Sequence, residues 1–289
     1  MLIISTTKGN IDLLETANTG KFEKERVYLG AMAKTLQDFF GNPNTPIVVS
    51  NACISGVLGI VAAARLLQTS HYENIVVTGG DIISAFTVSG FQSFKALSLE
   101  PCKPFDAARD GLSLGEGCGT IILTSQRGMA SETTNISVTG GATSNDANHI
   151  SGPSRTGDGL YIAIKNALKE ANLNGSTDIG YISAHGTATP YNDEMESKAF
   201  ALAGLEHVPV NSLKGFFGHT LGAAGVIESI AGIYALKNNI LINTLGYKNR
   251  GVSRNINIID HLQKSNLSNY LKTASGFGGC NGAVLFSKK

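Results

Sequence analysis

The sequence predicts an α/β fold built as two similar halves, and three observations carry that prediction. Short β-branched apolar runs alternate with longer runs of helical spacing, the pattern of a mostly parallel sheet covered by helices. The alternation begins again at about Asn135. Charge is sparse, at 16% of residues, and the chain holds 34 glycines, which suits a compact interior joined by many tight turns.

In chain order, residues 2–5 and 47–50 read as buried strands, with a helix over 26–40 between them. Residues 54–67, rich in Ala and Leu at helical spacing, read as a helix. Strands follow at 75–78 and 119–124, and the charged, glycine-containing stretch 104–117 between them reads as a loop. The second half reads as a strand at 136–139, a helix at 160–171, a strand at 179–183 and a helix at 193–203. A strand at 208–211 and a helix at 221–236 come next. Two strands, 271–275 and 283–286, close the chain around Gly-Phe-Gly-Gly-Cys-Asn-Gly at 276–282. Halves of 1–126 and 127–289 are expected to meet near 126–134. No Pro- or Ser-rich linker separates them, so they read as one pseudo-repeated unit.

At 289 residues and net charge +1, the chain can bury a sizeable core and gives no bulk electrostatic reason to bind nucleic acid or anionic membrane. It has no apolar run of 18 residues and no charged segment leading into a long apolar one. No membrane span, no signal peptide and a cytoplasmic location are therefore expected. Cys53, Cys102, Cys118 and Cys280 form no Cys-x-x-Cys pair and lie at no zinc-like spacing from histidine. Free thiols, without disulfide or bound metal, are the expectation.

Ile-Val-Val-Ser-Asn-Ala-Cys-Ile-Ser-Gly at 47–56 spells a strand, a tight turn and the start of a helix, with Cys53 at the turn. That placement puts the thiol over a helix N-terminus, where free N–H groups and the dipole favour the reactive thiolate. Small neighbours, Ala52, Ser55 and Gly56, leave room for a substrate. A buried structural cysteine explains the same residues.

His185 follows a strand directly in Ser-Ala-His-Gly-Thr-Ala-Thr-Pro at 183–190, at the strand end where ligands bind in parallel sheets. His219 sits in Lys-Gly-Phe-Phe-Gly-His-Thr-Leu-Gly-Ala-Ala-Gly at 214–225, again between a strand and a small-residue helix. One such histidine would read as structural; two in corresponding loops beside a candidate thiol point to chemistry. His71, His149, His207 and His261 lack that setting and read as surface residues. Gly-Leu-Ser-Leu-Gly at 111–115 mimics a hydrolase nucleophile elbow but follows a charged loop instead of a strand. The glycines at 115, 117 and 119 lead into a strand and not a helix, so they make no dinucleotide fingerprint.

The segments 51–56, 185–193 and 214–225 resemble, in order, the three catalytic motifs of the β-ketoacyl-acyl-carrier-protein synthases of the Cys-His-His type. Pro104-Phe105-Asp106 with Arg109-Asp110-Gly111 and Gly115-Glu116-Gly117 resembles the family's mid-chain signature, and Gly276-Phe277-Gly278-Gly279 its C-terminal gating loop. The resemblance runs from about residue 47 to the C-terminus and implies a thiolase-like fold of layered sheets and helices. It implies that Cys53 accepts an acyl group from acyl carrier protein, and that an enolate formed by decarboxylation of a malonyl extender attacks the resulting thioester. The family-implied oxyanion hole is the backbone N–H groups of Cys53 and Phe277. His185 and His219 would donate to the enolate oxygen, and Phe277 would gate the acyl pocket. Lys214 matches a family lysine near the site, Glu196 its acidic partner, and Glu228 a second carboxylate that reads equally as solvated surface charge. Cys280 stands where relatives carry a hydroxyl residue.

No cofactor or metal is implied, and the partners implied are acyl carrier protein with its acyl and malonyl thioesters and a second subunit, in a homodimer or a ketosynthase-type heterodimer. Two other readings compete. A thiolase-like degradative acyl transfer is disfavoured by the paired histidines with Lys214. A silent partner subunit that sets chain length is disfavoured by Cys53. Only 52 residues precede Cys53, fewer than in the family by about 100, a length on the scale of a small domain. The N-terminal half is accordingly expected to be incomplete, with the sheet that carries Cys53 short of a buried neighbour.

Overall fold

Two main sheets organise the chain, and the computed structural model describes residues 1–126 and 136–288 of it. The proposed junction at 126–134 lies, but for Gln126, outside the described residues. The first half contributes β1 (Leu2–Ser5), α1 (Leu29–Phe39), β2 (Ile47–Val49), α2 (Ser55–Gln68), β3 (Asn74–Asp81), α3 (Ala85–Ser93) and β4 (Gly117–Thr124). The second supplies β5 (Ile136–Asn145), α4 (Asp158–Ala171), a short α5 (Gly175–Asp178), β6 (Tyr181–Ser183) and α6 (Pro190–Leu202). It continues with β7 (Val210–Asn211), a single turn α7 (Lys214–Phe217), α8 (Ala224–Asn238) and the strand pair β8 (Ile240–Leu241) and β9 (Gln263–Lys264). The last strands are β10 (Asn269–Gly276) and β11 (Cys280–Lys288).

Strand order is β2-β1-β3-β4 in one sheet and β5-β11-β10-β6-β7 in the other. Helices α2 and α8 lie between the sheets, packed on each other and touching both. Helix α4 covers the outer face of the second sheet and packs on α6. The principal core spans both halves: Ile3, Val57, Val77, Tyr181, Val226, Tyr270 and Phe286 belong to one buried cluster. These are the layers of the thiolase-like architecture that the sequence resemblance implied.

The sheets are mixed where periodicity predicts mostly parallel pairing. Strands β1, β2 and β3 are mutually parallel, as are β10, β6 and β7, but β4 runs antiparallel to β3, and β11 to both β5 and β10. A turn of three residues joins β10 to β11, and so short a link permits only antiparallel pairing. Helix α3 has no counterpart in the sequence reading. Ala-Phe-Thr-Val-Ser-Gly-Phe-Gln-Ser is weak in helix propensity, and the helix rests on the Ser84 cap, which accepts from the Thr87 N–H, and on buried Phe91. Strand β1 takes the place between β2 and β3, and β2 has β1 as its one strand neighbour among the described residues. Among those residues no helix is long and apolar enough to cross a membrane.

Candidate active site

The thiol turn is built from backbone and one hydroxyl. After β2 the chain turns through Ala52 in the left-handed region, at φ 46°. Ser55 Oγ accepts from the Asn51 N–H at 2.8 Å and donates to the Ala52 carbonyl at 2.7 Å, closing the turn on itself. Cys53 is thereby fixed just before α2, and it is buried. Helix α2 then crosses α8 in backbone contact: a Cβ on Gly56 would lie 2.7 Å from the Val226 nitrogen and 2.9 Å from the Gly225 Cα. The glycines that end the two sequence motifs let the N-terminal ends of these helices converge.

His219 approaches from the other half. Its N–H donates to the Ser113 carbonyl at 2.7 Å, so the mid-chain loop holds it in place. The Leu221 N–H donates to Nδ1 at 3.3 Å, which assigns the proton of the neutral ring to Nε2. That Nε2 is buried without a protein partner, a donor ready for a ligand. His185 follows β6, and its N–H and that of Gly186 donate to the two Glu196 oxygens at 2.8 and 2.6 Å. The two imidazoles meet edge to face with centroids 5.1 Å apart, and ligand atoms of Cys53, His185 and His219 all lie within 4.8 Å of one another. They are the one group of metal-ligand type found among the described residues. Two neighbouring lysines give the pocket a positive field, which works against a dication.

Those lysines share one carboxylate. Lys214 Nζ lies 2.7 Å from Glu228 Oε1, and Lys272 Nζ lies 2.5 Å from Glu228 Oε2, all three groups buried. Glu228 is thus no surface charge. The Glu196 expectation is corrected here as well. Glu196 is not the partner of Lys214, because its oxygens accept from His185, Gly186, Asn192 and Thr273. Burial, then the charge of Lys214, holds both histidines well below the ordinary imidazole value, with Lys272 adding to the effect, so they are neutral at physiological pH.

The thiolate expectation is corrected in the opposite direction. Burial pushes Cys53 up to about 12, outweighing the Lys214 charge and the Phe277 N–H that oppose it, so the resting residue is a thiol. Phe277 heads the β10–β11 turn, with its ring 5.4 Å from Phe91 and 5.1 Å from Phe94. Gly278 and Gly279 continue that turn at φ 85° and 73°, two successive left-handed residues that favour glycine. Cys280 donates to the Phe277 carbonyl at 3.3 Å and packs beside the thiol turn. Ser113 of the rejected elbow donates to the Glu100 carbonyl, a structural bond. His71, His149, His207 and His261 are exposed.

Two residues escaped the sequence reading. Asp81, at the end of β3, accepts from the Gly222 N–H beside His219 and from Thr6 and Thr7 beside β1, so one carboxylate ties the two halves. It lies just past a predicted strand, at the sheet edge where ligands bind, and that position was the available signal. Lys272 lies inside an apolar strand run, where a charge has to be paired.

Sequence comparison matches residues 30–128 to the β-ketoacyl synthase N-terminal domain and residues 136–248 to the β-ketoacyl synthase C-terminal domain. The 3-oxoacyl-[acyl-carrier-protein] synthase 2 of Vibrio harveyi is 32% identical over 304 residues, covering 97% of this chain and 73% of that protein. This chain belongs to the β-ketoacyl synthase family. A mitochondrial 3-oxoacyl-[acyl-carrier-protein] synthase of Arabidopsis thaliana is 33% identical over 266 residues, covering 86% of this chain and 57% of that protein. Among solved structures, a β-ketoacyl synthase from Burkholderia phymatum superposes with a TM-score of 0.89 at 25% identity, over 100% of this chain and 75% of that one. The ketosynthase ApeO, in complex with its chain length factor ApeC from Xenorhabdus doucetiae, gives 0.87 at 26% identity, over 100% and 74%.

Proposed function

We propose that this β-ketoacyl synthase catalyses the decarboxylative Claisen condensation of malonyl-acyl carrier protein with an acyl group carried on Cys53, in fatty acid or polyketide synthesis. The observation that carries the reading is the convergence of a buried thiol and two neutral imidazoles from opposite halves of the chain, within 4.8 Å. In the first half-reaction Cys53 Sγ attacks the acyl thioester and the carrier thiol leaves. The sulfur is a thiol at rest, so its proton has to be taken up as it attacks. His219 carries its proton on Nε2 and its Nδ1 is occupied, which leaves His185 as the base that passes the proton to the departing carrier thiol. The N–H groups of Cys53 and Phe277 would stabilise the tetrahedral oxyanion.

In the second half-reaction malonyl-acyl carrier protein loses carbon dioxide. The neutral rings donate to the enolate oxygen, where imidazolium would instead hold the substrate carboxylate and slow its loss. The enolate carbon then attacks the Cys53 thioester, and the β-ketoacyl product leaves on the carrier as Cys53 recovers a proton from solvent. Lys214, held by Glu228, contributes positive charge beside the developing anions. Glu196 fixes the backbone from which His185 projects, and Phe277 gates the acyl pocket. The neighbour solved with a chain length factor favours a second subunit for this chain as well, in a homodimer or a heterodimer. It also supports a second reading, in which the chain is the silent, length-setting member of such a pair.

A radiolabelled acyl-acyl carrier protein tests these readings. Label retained on the wild type and lost in Cys53→Ala supports the enzyme, and carbon dioxide release from malonyl-acyl carrier protein then separates condensation from simple acyl transfer. Equal absence of label on both proteins rejects the enzymatic reading in favour of the silent partner.

A further inference from the structure

Lys272 is fully buried in the middle of β10, a placement that costs free energy unless each of its three N–H donors is used. All three are used. Nζ donates to the Ser183 carbonyl at 3.2 Å and the Ala184 carbonyl at 3.1 Å, and it pairs with Glu228 Oε2 at 2.5 Å. Ser183 ends β6, and Ala184 is the residue before His185. Through Glu228 the same ammonium reaches Lys214, which heads the loop that carries His219.

We infer that Lys272 is a positioning residue of this site: it clamps the backbone on which His185 is mounted and couples that clamp, through Glu228, to the Lys214 end of the His219 loop. The ammonium makes no hydrogen bond to either histidine, so the action is through geometry and charge. The charge has a definite consequence. With Lys272 the lysine–glutamate–lysine group carries a net +1; without it the group is neutral. That extra charge disfavours imidazolium at both His185 and His219. The other charged or titratable groups around the rings are Cys53 before α2, Glu196 on α6, Lys214 on α7, Glu228 on α8, and the Lys8–Asp81 pair beside β1 and β3. Of these, Glu228 and Glu196 also feel the Lys272 charge, and Glu228 loses a partner when it is replaced.

The reading rests on the enolate-stabilising role of the two histidines given above, and its test includes a measurement that does not depend on turnover. Lys272→Gln keeps N–H donors for the two carbonyls and removes the charge; Lys272→Met removes both. In the full chain, NMR titration of the histidine ring signals is expected to place the His185 and His219 midpoints higher in either variant than in the wild type. The acid limb of malonyl-acyl carrier protein decarboxylation is expected to move up in pH with them. At the pH plateau, kcat for decarboxylation is expected to fall about tenfold or more in Lys272→Met, and less in Lys272→Gln, with KM little changed. Unmoved histidine midpoints in a folded variant overturn the inference. So does failure of both variants to fold, because Lys272 is then a residue of the fold and not of the site. If the wild type releases no carbon dioxide, the proposed function fails while the histidine midpoints still decide the role of Lys272.

Discussion

The Cys53 turn and the His219 turn are counterparts, one in each half, but they are held by different physics. Both follow a short strand and lead into one of the two central helices, and both bend at a left-handed residue, Ala52 or Leu221. The thiol turn is held by local backbone bonds, the Ser55 hydroxyl and close helix packing. The histidine turn has backbone bonds to the mid-chain loop and, in addition, buried charge: Asp81 on the Gly222 N–H, and Lys214 on Glu228, itself shared with Lys272. The half that supplies the proposed nucleophile needs a precise shape. The half that supplies the imidazoles adds a fixed electrostatic field, which reinforces the neutrality that burial already imposes on them.

Breaking the charged side should have the largest effect. Glu228→Ala leaves two buried ammonium groups without their carboxylate, and removal of one partner from a buried ion pair costs about 3–5 kcal/mol. Urea unfolding of the variant should show that loss at neutral pH. A loss under about 1 kcal/mol would mean that water or a lysine deprotonation relieves the group, and the contrast between the two turns would be weaker than stated.

The packed side should break next. Gly56→Ala puts a methyl group 2.7 Å from the Val226 nitrogen, so α2 and α8 have to separate, at about 1–3 kcal/mol. Because the same separation moves Cys53 away from the imidazoles, acyl transfer should fall by more than the stability loss alone explains. Unfolding curves and single-turnover acylation, measured side by side, check both parts. Parallel small losses in the two measurements would place the convergence of the helix ends elsewhere.

Much of this contrast is legible in the sequence, though unevenly. Cys53, His185 and His219 stand in glycine-rich turns at strand ends, and strand-turn-helix order alone places them at one edge of their sheets. Lys214 and Glu228 lie on either side of the His219 turn, close in sequence to the proposed chemistry. Lys272 was not legible as part of the site, because it lies on a strand 53 residues beyond His219 and reaches the site only through sheet pairing with β6. Asp81 is hidden for the same reason, since its partners come from both halves. The Glu196 assignment failed because sequence spacing does not say which of two carboxylates faces a lysine. Helix α3 was invisible because a cap and one buried phenylalanine, not propensity, hold it.

The thiolate expectation failed for a reason that gives the smallest of the three tests. A helix N-terminus favours thiolate by an amount that burial here exceeds, which leaves Cys53 protonated up to about pH 12 while the histidines stay neutral. The two turns should therefore answer pH differently. Alkylation of Cys53 by iodoacetamide depends on the free thiolate, so its rate should rise about tenfold for each pH unit between 7 and 10, about 1.4 kcal/mol per step, with no plateau. Decarboxylation of malonyl-acyl carrier protein depends on neutral imidazoles whose values lie well below the usual one, so it should show no inflection near pH 6.5. Mass spectrometry of the Cys53 peptide against time gives the first profile, and carbon dioxide release the second. An alkylation plateau near pH 8 would show that the helix end prevails over burial at the sulfur. A decarboxylation midpoint at 6.5 would show that neither burial nor the lysine charges hold the rings neutral.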